Sequence, residues 1–67
     1  MKKNWEPMIK EMNRLIGYKE TRKLLVLEGF GTSTADRLAR KIYPSEVKDL
    51  ARAALERALA VARLRAS

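Results

Sequence analysis

The sequence predicts an all-α protein: a compact bundle of four or five helices that contains a helix-turn-helix and ends in a long helix. Glycine and proline punctuate the chain, and the stretches between them carry apolar residues at a spacing of three to four. No stretch alternates between apolar and polar residues as a strand would. Because 67 residues cannot bury two separate cores, residues 1–67 are predicted to form one domain.

The first predicted helix begins after a cap at Asn4 and ends at Gly17. Pro7 fits its first turn, where a missing backbone N–H leaves no helical hydrogen bond unmade. Apolar residues recur along one side of this helix: Trp5, Met8, Ile9, Met12, Leu15 and Ile16. That side is predicted to face the core, with Trp5 and later Tyr43 as core or dimer-edge residues.

Two short helices are predicted on either side of a glycine turn. The second helix covers residues 18–27, and Glu28 and Gly29 close it. Thr32 or Ser33 offers a hydroxyl cap for the third helix, which is expected to run to about Ile42. Its predicted buried face consists of Ala35, Leu38, Ala39 and Ile42.

A long fourth helix is predicted after a break at Tyr43–Pro44, with Ser45 as its N-cap. Residues 46–64 are rich in Ala, Leu and Arg, which favour helix strongly. Small alanines let two helices approach closely, so residues 46–65 are predicted as both core and dimerisation helix. The predicted dimer contacts are Leu50, Ala54, Ala58, Val61 and Ala62. The alternative is that this face only covers the protein's own core.

The charge balance points to a polyanionic partner. Fifteen Lys and Arg residues against eight Asp and Glu give a net charge of +7, which attracts nucleic acid, although solubility alone could also explain it. The chain has no Cys and no His, so it can form neither a disulfide nor a conventional zinc site. Small domains without either usually gain stability from a partner subunit, and a homodimer is therefore expected.

Several classes of protein are disfavoured by what the sequence lacks. Without His, Cys or a glycine-rich phosphate loop, catalysis is not expected, nor is a cofactor, a metal or a small-molecule ligand. No apolar run approaches the length of a membrane span. The lysines near the N-terminus are not followed by the apolar run of a signal peptide, and a cytoplasmic location is expected.

The stretch from residue 21 to residue 40 has the features of a helix-turn-helix. Such a unit needs a residue that tolerates positive φ at the turn, an apolar residue directly after it, and buried positions on the second helix. Gly29, Phe30, Ala35 and Leu38 supply these features in that order.

This stretch, about a third of the chain, resembles the helix-turn-helix of the Cro/C1-type repressor family of phages and bacteria. Residues 31–35, Gly-Thr-Ser-Thr-Ala, are similar to the start of that family's recognition helix. The resemblance implies a double-stranded DNA partner and groove-facing roles for Thr32, Ser33, Asp36, Arg37 and Arg40. It also implies phosphate contacts by Lys19, Thr21 and Arg22. Two positions differ from the family. The family usually has a small residue at the position of Leu25 and an apolar residue at the position of Glu28.

The chemistry of these side chains suits DNA. Arg37 and Arg40 are the best candidates for base reading, because arginine pairs with guanine O6 and N7. Asp36 can accept from cytosine N4 or fix the Arg40 guanidinium one turn later, and the second role is preferred. Tyr18 can bond a phosphate or pack half-buried with its hydroxyl satisfied. The residues expected to contact the DNA backbone also include Tyr18, Thr34 and Lys41.

The function expected from these features is a homodimeric transcriptional regulator, acting as a repressor on a palindromic operator. Three alternatives remain open at this stage. The apolar face of the last helix could serve a protein-interaction adaptor, the basic charge could serve a nonspecific architectural binder, or the partner could be RNA. Another alternative is that Arg37, Arg40 and Lys41 form a solvent-exposed helix face that binds no partner.

Overall fold

The computed structural model describes residues 6–42 and 49–67, with the side chains of residues 49–51 outside that description. The described residues form three α-helices: α1 (Glu6–Leu27), α2 (Thr32–Ala39) and α3 (Asp49–Ala66). The all-α class is confirmed, but the predicted count of four or five helices is wrong. The count is lower because the first two predicted helices form the single element α1. The predicted positions of Asn4, Trp5 and residues 43–48 lie outside the described part of the chain.

Helix α1 is broken at Gly17, where the first predicted helix was expected to end. The backbone there has φ 86° and ψ 163°, a conformation that is open almost only to glycine. A Cβ added at Gly17 would meet no atom within 4 Å, so the requirement for glycine comes from the backbone and not from crowding. Gly17 is thus a non-helical kink between the two helical stretches that make up α1.

The turn between α1 and α2 is closed by Gly29, as the sequence predicts. Gly29 has φ 107°, and its N–H donates to the carbonyl of Val26 at 3.0 Å. The N–H of Phe30 donates to the carbonyl of Leu25 at 3.2 Å. These two bonds form a Schellman motif, which satisfies the last carbonyls of α1 and reverses the chain. Phe30 packs against the core, as expected for the apolar residue after the turn.

Helix α2 begins differently from the prediction. Gly31 is its N-cap, with extended backbone, and no side chain caps the helix. Thr32 and Ser33 lie inside the first turn, and the prediction of a hydroxyl cap from either residue is wrong. The hydrogen bond from Ala35 N–H to the Gly31 carbonyl at 2.8 Å closes this turn without a side chain.

Helix α2 also ends at Ala39, three residues before the predicted end at Ile42. Lys41 has φ 66°, and a second Schellman motif forms around it. The N–H of Lys41 donates to the carbonyl of Leu38 at 2.9 Å, and the N–H of Ile42 donates to the carbonyl of Arg37 at 2.7 Å. Ile42 therefore leaves the predicted buried face and is 57% exposed.

The core is organised around α1. Helix α1 packs closely against both α2 and α3, whereas the backbones of α2 and α3 do not approach each other as closely in the described residues. The buried cluster consists of Ile9, Met12, Leu24, Leu25, Ala35, Leu38, Leu55, Ala58, Leu59 and Ala62. One contiguous cluster thus joins all three helices through α1.

The small-residue face of α3, predicted as a dimer seam, lies within the protein's own core. Ala54, Ala58 and Ala62 are buried, and Val61 is half-buried against the same cluster. The side chain of Leu50 lies outside the described residues. The burial of these alanines favours the alternative, that this face covers the protein's own core.

Three arginines of α3 tie that helix to α1 and to the turn. Arg57 pairs with Glu28 at 2.8 Å, Arg63 pairs with Glu11 at 2.8 Å, and Arg65 pairs with Glu20 at 2.9 Å. Glu28 stands where an apolar residue is usual in Cro/C1-type repressors. Its carboxylate here links the turn to α3. All three arginines are substantially exposed, so their pairs add less to stability than the apolar core does.

Replacing Gly17 with alanine should lower the free energy of unfolding by about 1–3 kcal/mol, because alanine is strained in that backbone conformation. The matched control is Gly31→Ala, at φ −64° and in equally open space. It should change stability by less than about 0.5 kcal/mol, since the poorer cap and the stiffer unfolded chain offset each other. Urea unfolding followed by circular dichroism measures both. Equal stabilities of the two variants would contradict the role given to Gly17.

Candidate nucleic-acid interface

Helix α2 presents one face to α1 and the opposite face to solvent. Ala35, Leu38 and Ala39 are buried, while the remaining side of the helix is open. Four of the five residues predicted to face the DNA groove are exposed: Thr32, Ser33, Arg37 and Arg40. The fifth, Asp36, is half-buried at the edge nearest α1.

Tyr18, Asp36 and Arg40 form a hydrogen-bonded cluster between α1 and α2. The Tyr18 hydroxyl donates to Oδ1 of Asp36. Nε of Arg40 lies 3.1 Å from Oδ2 of Asp36 and also donates to the Tyr18 hydroxyl at 3.3 Å. Both oxygens of Asp36 are therefore engaged within the protein. This arrangement matches the preferred expectation that Asp36 fixes the Arg40 guanidinium.

The cluster shifts the titration of its charged members. The Tyr18 hydroxyl, by donating to the carboxylate, lowers the pKa of Asp36, and the charges of Arg40 and Arg22 act in the same direction against partial desolvation. The pKa of Arg40 is raised, first by its bond to Tyr18 and then by the charge of Asp36. Asp36 and Arg40 accordingly hold opposite charges over the whole neutral range.

Two guanidinium groups lie near the ring of Tyr18. The central guanidinium carbon of Arg22 is 6.0 Å from the ring centroid, and that of Arg40 is 5.8 Å from it. Both distances are within the range of cation–π attraction. Of the two roles considered for Tyr18, half-buried packing with a satisfied hydroxyl describes its state in the free protein.

The residues of α1 predicted to contact phosphate are not equally accessible. Lys19 is exposed, whereas Thr21 is fully buried, with a hydroxyl that finds no partner among the described residues. The prediction of a phosphate contact by Thr21 is therefore wrong. Its spacing from Leu24 and Leu25 places all three on the inner face of α1. Arg22 is half-buried, its Nε also without a partner in the described structure.

Two further residues were predicted to contact the DNA backbone, one inside α2 and one just after it. Thr34 is half-buried in the first turn of α2, and Lys41 is exposed just after its end.

Asn13, which the sequence did not single out, contacts the end of α2: its side-chain Nδ2 donates to the carbonyl of Ala39 at 2.9 Å. This bond joins the end of α2 to the part of α1 before Gly17. No local sequence pattern reveals a contact between residues so far apart in the chain.

A shallow apolar groove borders the start of α2. Val26 and Leu27 are 39% and 76% exposed, respectively, and line the groove together with Arg22, Lys23 and Thr32. The helical spacing of residues 18–27 gave no sign that Val26 and Leu27 would be exposed. They lie on the outer side of α1, opposite Leu24 and Leu25.

The described part of the chain contains no cluster of three or more acidic, His or Cys side chains able to hold a metal ion. Within the same residues, every helix is too short or too polar to cross a membrane. No protein-family model, no curated protein and no solved structure matches this chain. The interpretation of the site therefore depends on its geometry and charge.

Tyr18→Phe should raise the pKa of Asp36, because it removes the bond that contributes most to lowering it. A depressed carboxyl pKa stabilises the fold above the ordinary pKa of aspartate, and this contribution is lost as the pH falls through the depressed value. The variant should accordingly be less stable than the parent at neutral pH, and this difference should shrink in acid.

Titration of the Asp36 carboxyl by NMR, with thermal unfolding over the same pH range, measures both effects. Arg37→Ala serves as the control, since Arg37 is not among the groups that shift Asp36. An unchanged pKa of Asp36 in the Tyr18→Phe protein would show that the hydroxyl does not bond the carboxylate in solution.

Proposed function

We propose that this chain is a sequence-specific double-stranded DNA-binding protein that regulates transcription. The single observation that carries the proposal is the exposed face of α2, held on α1 by a glycine turn and bordered by basic side chains. A helix attached on one side only is the element that helix-turn-helix proteins insert into the major groove.

The dimensions of α2 suit this role. The major groove of B-DNA is about 12 Å wide and admits an α-helix, whose diameter with side chains is about 10–12 Å; α2 offers eight residues to lie in it. The outer side of α2 is exposed, and among the described residues the backbone of α3 does not come close to that of α2, so α3 does not cover the face that would enter the groove. Thr32 and Ser33, exposed in the first turn, can donate to phosphate with the favourable end of the helix dipole behind them.

The distribution of charge supports the same face. On α3, Arg57, Arg63 and Arg65 are engaged with glutamates of α1 and the turn. On the α2 side, the described ion pairs do not include Lys19, Arg37 or Lys41, and all three side chains are exposed. These cations remain available to replace the counterions of a phosphate backbone.

The finer proposal is a homodimeric repressor that acts in the cytoplasm of a bacterial or phage-infected cell. Two copies would place their α2 helices about 34 Å apart on a two-fold symmetric site and block RNA polymerase. The dimer would have to use a surface other than Ala54, Ala58 and Ala62, which are buried within each copy. The same burial removes the support for an adaptor that binds through the apolar face of α3.

The proposal predicts that Arg37→Ala weakens binding to a selected duplex by about tenfold, the effect of losing one good base or phosphate contact. The control is Arg52→Ala, which removes the same charge from the exposed surface of α3. It should weaken binding far less, because α3 lies away from the proposed interface. Fluorescence anisotropy against duplexes recovered from a random library, at two salt concentrations, measures both variants.

The outcomes separate the proposal from its alternatives. Enrichment of a two-fold symmetric duplex supports the dimeric regulator, and salt-sensitive binding without enrichment would indicate an architectural binder. Tighter binding to a size-matched RNA would indicate an RNA partner. Equal losses in the two variants would mean that the α2 face is not the docking surface, and no binding to any duplex would refute the proposal.

A further inference from the structure

We propose that Arg40 reads a guanine in the major groove and that Tyr18 and Asp36 are positioning residues that hold its guanidinium for this task. This inference deepens the proposed function and rests on it. The observation behind it is the Tyr18–Asp36–Arg40 cluster, which joins α1 to the C-terminal part of α2 and engages Nε of Arg40.

The cluster leaves the outer end of the Arg40 guanidinium for a ligand. Within the described structure, the hydrogen bonds and the ion pair of Arg40 all use Nε. Its two terminal Nη groups can therefore donate side by side to a pair of acceptors. The arginine side chain is 60% exposed, so these groups are open to solvent in the free protein.

Among the bases, guanine fits two parallel donors. Its major-groove edge carries two neighbouring acceptors, O6 and N7, whereas adenine places a donor beside its N7. Cytosine presents the N4 donor, and thymine presents a single acceptor with a methyl group. The alternative role for Asp36, accepting from cytosine N4, is disfavoured because Tyr18 and Arg40 already engage both of its oxygens.

Tyr18 and Asp36 restrict the rotation of the Arg40 side chain in the free protein. An arginine that is free to rotate must lose that freedom on binding, and holding it beforehand removes part of this cost. The Tyr18 hydroxyl accepts from Nε of Arg40, and the guanidinium carbon lies 5.8 Å from the centroid of the Tyr18 ring. Arg37, three residues earlier on α2, is exposed without such contacts in the described structure and offers a matched comparison.

The test selects duplexes from a random library with the parent and each variant, and then replaces each guanine of the recovered duplex in turn with 7-deazaguanine, which lacks the N7 acceptor. The parent should be sensitive at one guanine per half-site. Arg40→Ala should abolish the preference there, a loss of roughly five- to 150-fold in discrimination. Arg40→Lys, which keeps the charge without the fork, should lose most of it.

The positioning residues have their own readouts. Tyr18→Phe should reduce discrimination at that guanine by about two- to tenfold, a larger effect than its effect on affinity for unrelated duplexes. Asp36→Asn should also reduce discrimination, yet bind unrelated duplexes more tightly at low salt because a negative charge is removed. Adding Tyr18→Phe to Arg40→Ala should cause no further loss, whereas adding it to Arg37→Ala should give additive losses.

Each outcome decides the inference. Circular dichroism establishes that each variant is folded, and Tyr18→Phe tests the positioning role even if Asp36→Asn unfolds. A parent that binds DNA without sensitivity to 7-deazaguanine would overturn the guanine assignment and leave the proposed function standing. Unchanged discrimination in Tyr18→Phe would overturn the positioning role. A parent that binds no duplex would overturn both the proposed function and this inference.

Discussion

The constraint on which the rest of the structure depends is the backbone break at Gly17. It allows one long element to supply core residues on both sides of a bend, with Ile9 and Met12 before it and Leu24 and Leu25 after it. Both α2 and α3 pack on this bent helix and not on each other in the described part of the chain. The orientation of α2 therefore depends mainly on its packing against α1, and a change in the bend would move the candidate interface.

The attachment of α2 combines apolar packing with a small number of polar contacts. Ala35 and Leu38 join the core, the Gly29 turn sets the entry into the helix, and Asn13 bonds the carbonyl of Ala39 at its end. Tyr18 contributes at the outer edge, where its hydroxyl bonds Asp36. These contacts fix one side of an eight-residue helix and leave the other side exposed, which is the property that a groove-reading helix requires. The ion pairs of α3 meanwhile engage its arginines elsewhere, so the balance of accessible positive charge favours the α2 face.

Local features of this fold could be predicted from sequence, and long-range ones could not. Gly29, Phe30, Ala35 and Leu38 were recognisable because turn chemistry and helical spacing are local properties. The spacing of Thr21 from Leu24 and Leu25 carried the same kind of information and would have revealed its burial. By contrast, the broad apolar face of α3 could have been covered by α1 or by a second copy, and only the tertiary packing decides between them. The pairing of Glu28 with Arg57 and the bond from Tyr18 to Asp36 likewise join residues that no sequence period relates. The early end of α2 depends on Lys41 adopting a positive φ, which lysine rarely does.

The central claim is that the exposed face of α2 docks on duplex DNA. Its most direct test is an NMR titration of the isotope-labelled protein with a defined duplex at low salt, following backbone amides and arginine side chains. The largest shifts should occur at residues 32–41 and at Lys19, including the Arg40 side chain, with little change at Arg57, Arg63 and Arg65. The largest shifts on α3, with residues 32–41 undisturbed, would contradict it.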